Sequence, residues 1–167
     1  VSHMVARYLH RVEAKNFLSF ATLGIELQPL NVLVGPNGSG KTNLMKIFAF
    51  IGAVAELDLE RAIELHGGLD ALIFQRSRDR RLRISTEGIF TSYASEAAPD
   101  EYELELDAST YSSVLDDFEF IERVESFKFK RAQGRGRRIT LKGAALEVFE
   151  RSGSKSRLRS QDVSKQT

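Results

Sequence analysis

The chain has 167 residues, 42% hydrophobic and 28% charged, which is enough apolar material for one packed core. It has no cysteine, which excludes disulfides and thiol chemistry, and no apolar run long enough to cross a bilayer. The formal charge of +1 hides a division: residues 1–127 carry 12 Lys or Arg against 20 Asp or Glu, and residues 128–167 carry 12 against 3.

Val1-Ser2-His3-Met4 reads as an expression-tag scar, so residues 1–4 are set aside and His3 is kept out of functional reasoning. With no secretory signal after it, the cytoplasm is the expected compartment. Tyr8 to Phe17 and Phe20 to Leu27 then predict two antiparallel strands. Val32-Leu33-Val34, a short apolar and β-branched run, predicts a buried parallel strand.

Gly35-Pro36-Asn37-Gly38-Ser39-Gly40-Lys41-Thr42 follows at once and fills every fixed position of the phosphate-binding pattern G-x-x-x-x-G-K-[ST]. A triphosphate is an extended polyanion, best wrapped by backbone N–H groups and capped by the positive end of a helix dipole. Glycines at 35, 38 and 40 let the backbone come close; Lys41 would reach the β- and γ-phosphates and Thr42 would ligate Mg²⁺. Leu44, Ile47, Phe48 and Ile51 recur at helical spacing, so Lys41 to about Glu56 is the predicted helix. The order is strand, glycine loop, helix, and ATP with Mg²⁺ is the expected ligand.

Leu57 to His66 predicts a second helix ended by Gly67-Gly68, with His66 at its C-terminal end. Beyond it the period becomes two. Leu82 and Ile84 alternate with arginines, Tyr102, Leu104 and Leu106 with acids, and Phe127 and Phe129 with lysines. Ile139, Leu141, Leu146, Val148 and Phe149 continue an antiparallel meander, with turns at Ser95 to Asp100 and Gln133 to Gly136. From Ser152 onward polar residues dominate, which predicts a flexible tail or linker over residues 151–167 and a folded lobe over residues 5–150.

The neighbours of the glycine loop narrow its class. No Asn is followed by Lys, as guanine recognition by an N-K-x-D element would require. Lys15-Asn16-Phe17-Leu18-Ser19-Phe20 resembles the "K-N-F-x-S-F" turn of the RecF, SMC and OLD group of ABC-type ATPases, and Asn43 directly after Thr42 is similar to that group. The resemblance covers the first half of the chain, through Gly67-Gly68-Leu69. It implies an α/β P-loop NTPase fold: an ABC-type N-terminal lobe with a mixed sheet, a P-loop helix and an antiparallel meander. It also implies that residues 35–43 bind nucleotide and that the Lys15-to-Phe20 turn lies beside the ribose and base. The residues alone allow Phe17, Leu18 and Phe20 to be core.

Such ATPases complete their site with a Walker B strand ending in Asp-Glu, an LSGGQ-like signature and a switch histidine. None is found here. Ser113-Val114-Leu115-Asp116-Asp117 is the nearest approach to Walker B, with too short an apolar run, and reads better as a turn. Arg151-Ser152-Gly153-Ser154 lacks the leading Leu and second Gly of a signature. The expectation is the ATP-binding half of a head, partnered by a missing C-terminal lobe and dimerising head to head, in a protein that works on DNA in repair, maintenance or defence. No heptad seam is present, so either a coiled-coil insertion begins after Thr167 or the protein belongs to a branch with a short insertion, and the resemblance at Gly67-Gly68 implies the second.

Two other readings stay open: a basic nucleic-acid-binding module that uses nucleotide as a conformational ligand, and a small P-loop phosphotransferase. For the second, Arg76, Arg78, Arg80, Arg81 and Arg83 are the only lid-like cluster, and their alternation with Leu82 and Ile84 fits a charged strand face. For DNA contact the candidates are Lys128, Lys130, Arg131, Arg135, Arg137 and Arg138. If they meet duplex phosphates, replacing Arg135, Arg137 and Arg138 by Ala should flatten the slope of log affinity against log salt by about 0.9 per lost contact. An unaltered slope in filter-binding titrations would reduce the cluster to a solvated hairpin.

Overall fold

The computed structural model describes residues 8–112, 117–129, 137–142, 145–152 and 155–162. Strand β1 (Tyr8–Phe17) turns sharply into β2 (Phe20–Glu26), and a strandless segment leads to helix α1 (Lys41–Glu56). Two short helices follow, α2 (Leu59–Leu65) and α3 (Leu69–Leu72). The chain then enters a run of strands: β3 (Arg81–Ile89), β4 (Asp100–Ser112), β5 (Asp117–Phe129), β6 (Arg137–Lys142), β7 (Ala145–Ser152) and β8 (Lys155–Asp162). All eight strands form one sheet in the order β2-β1-β3-β4-β5-β6-β7-β8, and every neighbouring pair is antiparallel.

Period-two alternation decides which face is buried. Val12 and Ala14 pair across the ladder with Thr86 and Ile84, Ile84 with Leu104, and Leu82 with Leu106, and all seven side chains are buried. Residues between them point the other way and carry the charge: Arg81 pairs with Asp107 at 2.9 Å, and Arg83 with Glu103 at 3.0 Å and Glu105 at 3.3 Å. These exposed pairs contribute little stability individually, but they keep the open face soluble and hold register. Against the apolar face α1 lays Leu44, Ile47 and Phe50, with Phe50 edge-on to His66 at 5.4 Å and tilted against Phe17 at 5.9 Å. Phe17 is wholly buried.

Helix boundaries follow from local chemistry. Asp58 caps α2 by accepting from the Arg61 amide at 2.8 Å, which starts the helix two residues later than the apolar pattern alone predicts. His66 closes it, with Nδ1 2.8 Å from the Ala62 carbonyl, and Gly67 and Gly68 then reverse the chain at positive φ. The turn expected around Ser95 to Asp100 is present as a reciprocal backbone pair between Ser95 and Ala98 at 3.0 and 3.1 Å. The expected Gln133 to Gly136 hairpin falls outside the described residues, although β5 and β6 on either side of it are paired.

One expectation is corrected. Val32-Leu33-Val34 is not a buried parallel strand: residues 31–36 form no strand, and the three side chains are 77%, 45% and 89% exposed. With no parallel partner among the described residues the sheet there is antiparallel and not mixed, because an extended segment becomes a strand only by sharing its backbone N–H and C=O groups with a neighbour. Lys155–Asp162 forms β8, with Phe149 opposite Leu158 and Glu150 opposite Arg157, so a polar composition here supplies an edge strand.

Phe50→Ala should cost about 3–5 kcal/mol in urea unfolding, because it empties the contact between α1, Phe17 and His66. Gly52, in the middle of α1 with open space around its Cα, gives the opposite sign: Gly52→Ala should add about 0.5–1 kcal/mol.

Candidate functional site

The segment before the glycine loop is braced by Asn31, whose side chain accepts from the Gln28 amide at 3.0 Å and donates to the Gln28 carbonyl at 2.6 Å. In the loop the Ser39 amide reaches the Pro36 carbonyl at 3.3 Å, and Gly38 and Gly40 take φ of 81° and 91°, a region costly for residues with a Cβ. Gly40 is also tightly approached: a Cβ there would lie 3.2 Å from the Phe20 ring. Lys41 curls back so that Nζ donates to the Gly35 carbonyl at 2.6 Å, the Pro36 carbonyl at 2.7 Å and Ser39 Oγ at 3.2 Å.

Helix α1 is preceded by Gly40 at its N-cap, with no side-chain cap and no acidic residue in its first turn. The Leu44 amide makes the first intrahelical bond, to the Gly40 carbonyl at 2.9 Å, which leaves the preceding amides at the positive end of the dipole. An ammonium, these amides and the exposed Thr42 hydroxyl therefore converge on one exposed loop with no carboxylate among them. This donor set fits a polyphosphate with its Mg²⁺. A Cβ on Gly35 would come within 2.9 Å of Ser39 Oγ and fill the cradle.

Asn43 faces the other way. Its side-chain amide donates to Ser19 Oγ at 2.8 Å, tying the first turn of α1 to the β1–β2 turn. Phe20 covers Gly40 from the same turn while Phe17 is core, so the Lys15-to-Phe20 segment has both a structural and a site-facing side.

Of the basic candidates, Lys128 and Arg138 are register partners across β5 and β6. Lys128 is held by Glu101 at 2.7 Å. Arg138, exposed on β6, borders a cleft of about 430 Å³ on the open face whose lining includes Glu13, Glu87, Glu101 and Glu103. Arg137 is exposed beside it, and Lys130, Arg131 and Arg135 lie outside the described residues. Of the nearest approach to Walker B, Ser113 to Asp116 lie outside them as well, and Asp117 opens β5. In the arginine cluster Arg80 meets Asp70 at 2.8 Å, while Arg81 and Arg83 are the charged strand face already described.

Two polar features, one buried and one half-buried, were not read from the sequence. Asp100 is fully buried, with Oδ2 accepting from the Thr91 amide at 2.8 Å. Tyr102 donates to Glu125 at 2.7 Å; burial first, and then that carboxylate, push its phenol well above the ordinary range, so it stays a donor at any working pH. An acid opening a strand looks like a solvated edge until its neighbours are known.

Residues 30–159 match the family described as "AAA domain, putative AbiEii toxin, Type IV TA system". The chain belongs to this AAA family. Part of the chain is also similar to the DNA replication and repair protein RecF. The RecF of Brucella abortus (strain 2308) and that of Brucella suis biovar 1 (strain 1330) are each 33% identical over 78 residues, covering 40% of this chain and 20% of the relative. RecF from Acidothermus cellulolyticus is 44% identical over 45 residues, covering 26% of this chain and 12% of the relative. The AAA chain thus spans about a fifth or less of the curated relatives it matches. No solved structure matches it. Together the matches identify an ABC/AAA-type P-loop ATPase of the RecF-like group. Among the described residues of this AAA domain no helix is long and apolar enough to cross a membrane.

Gly40→Ala should lower stability by about 1–2 kcal/mol in urea titrations, since it combines a left-handed backbone with a contact on Phe20. An unchanged midpoint would mean that the loop is freer than its geometry.

Proposed function

We propose that this chain is the ATP-binding half of an ATPase head whose complete form hydrolyses ATP and works on DNA in the cytoplasm. The observation that carries the reading is the uncapped N-terminus of α1, joined to a glycine loop and to Lys41 with no acid in the first turn. Such an end attracts an anion by its own partial charge. Gly35, Pro36, Asn37, Gly38, Ser39 and Gly40 would wrap the phosphates, Lys41 would exchange its carbonyl partners for phosphoryl oxygens, and Asn43 would anchor the helix to Ser19. Thr42 would hold Mg²⁺, whose charge would offset that of the β- and γ-phosphates.

The DNA part of the proposal rests on the name of the RecF relatives and on the exposed Arg137 and Arg138. The need for a second lobe is supported by Val32, Leu33 and Val34, three apolar side chains left exposed just before the loop. A parallel strand from a C-terminal lobe would cover them, and that lobe would bring the water-activating carboxylate and the signature of a head-to-head dimer. Pairing of Lys128 with Glu101 removes one charge from the basic cluster and counts against the module that binds nucleic acid alone.

Lys41→Ala should weaken ATP·Mg²⁺ binding by about ten- to 150-fold in titration calorimetry, the loss of charge-assisted contacts worth about 1.5–3 kcal/mol. Unchanged binding would overturn the site. The 167-residue chain alone should hydrolyse ATP at background rate, and adding the C-terminal lobe should restore turnover. Steady hydrolysis without it would replace the half-site with a self-sufficient enzyme.

A further inference from the structure

Among the described residues, Asn16 and Leu18 are the only non-glycine residues with positive φ, at 54° and 50°, and both sit in the β1–β2 turn. Leu18 occupies the first central position of the two-residue connection between the paired Phe17 and Phe20, where positive φ normally calls for glycine. Strain of this kind persists only where the surroundings over-determine it. Here they do. Asn16 is 5% exposed; its side-chain amide donates to the Arg81 carbonyl at 2.9 Å and the Asp79 carbonyl at 3.4 Å, and its own carbonyl accepts from the Phe74 amide at 3.1 Å. The Leu18 amide donates to the Leu72 carbonyl at 2.6 Å.

One side of the turn is therefore clamped to residues 72–81, a strap that runs from the end of α3 to the start of β3. Its other side is clamped to the glycine loop, by Ser19 Oγ under the Asn43 amide and by the Phe20 ring against Gly40. The strap has its own internal order: Ser77 Oγ donates to the Asp79 carbonyl at 3.0 Å, and the Arg81 amide donates to Asp79 Oδ1 at 3.1 Å. A hydrogen-bonded path thus runs from the strap through Asn16, Leu18 and Ser19 to the first turn of α1.

We propose that the strained β1–β2 turn is a positioning element that couples residues 72–81 to the nucleotide loop, with Asn16 as its pivot and Ser19 as its contact on α1. The proposal rests on the nucleotide reading above. Because the turn is hydrogen-bonded on both sides, a displacement at one clamp passes to the other. Linkage makes the effect reciprocal: a ligand that orders the loop must order the strap, and loosening the strap must weaken the ligand.

Amide hydrogen exchange with and without ATP·Mg²⁺ tests this. In the unmodified chain the nucleotide should slow exchange across residues 72–81 by about fivefold as well as across the loop. Ser19→Ala, an exposed change that removes only the acceptor for Asn43, should abolish protection of the strap while leaving the loop protected. Asn16→Gly, which keeps the left-handed backbone but deletes the side-chain amide, should do the same and weaken ATP binding by about fivefold. Loop protection without strap protection in the unmodified chain would overturn the coupling, as would strap protection that survives Ser19→Ala. If ATP·Mg²⁺ protects neither region and Lys41→Ala changes nothing, the nucleotide reading fails first. The coupling is then read without ligand: Ser19→Ala must speed exchange across residues 72–81, and unchanged rates there overturn it.

Discussion

Everything in this lobe depends on the packing of one face of α1 against the apolar side of the sheet. Ile47 and Phe50 are wholly buried, and they meet the stripe formed by Val12, Ala14, Leu82, Ile84, Leu104 and Leu106. An isolated sixteen-residue helix is marginal in water, so this contact is what makes α1 a fixed object. A fixed helix has a fixed N-terminus. The amides that would face a phosphate are placed by side chains one to three turns further along, on the opposite end of the chemistry from the glycine loop.

The distribution of charge follows the same division of labour. Carboxylates are concentrated on β4, where Glu103, Glu105 and Asp107 are answered across the ladder by Arg83 and Arg81. None enters the first turn of α1. The sheet's open face is thereby close to neutral and carries little long-range field, whereas the loop keeps an uncompensated positive end within one short segment. That contrast, more than the net charge of the chain, gives the loop its preference for an anion.

Val32, Leu33 and Val34 stand exposed just before the loop. Burying such side chains is worth about 1.5–3 kcal/mol each, and that free energy is unclaimed here. Under the proposed function it is available for assembly, so joining a second lobe and completing the site would be one event. The turn between β1 and β2 meets Gly40 and Asn43 on one side and residues 72–81 on the other, so under the proposed coupling conformational information and chemistry would share a few residues.

Much of this was legible in the linear chain. The pattern from Gly35 to Thr42 requires no partner to be recognised, since its glycines and its Lys-Thr pair act through the local backbone and the helix that follows. Strands β1 to β4 and the span of α1 were equally plain, because alternation and helical spacing reflect a solvent boundary that each segment feels on its own. Tertiary structure decided what depends on neighbours. It determined that Val32 to Val34 lacks a ladder partner among the described residues, that Lys155 to Asp162 finds one, and that Lys128 is spent on Glu101. It also determined that Asn16, one polar residue in a turn, is buried as a clamp on the Arg81 carbonyl. Strand pairing and burial of a polar group are properties of two segments at once, and no reading of one segment contains them.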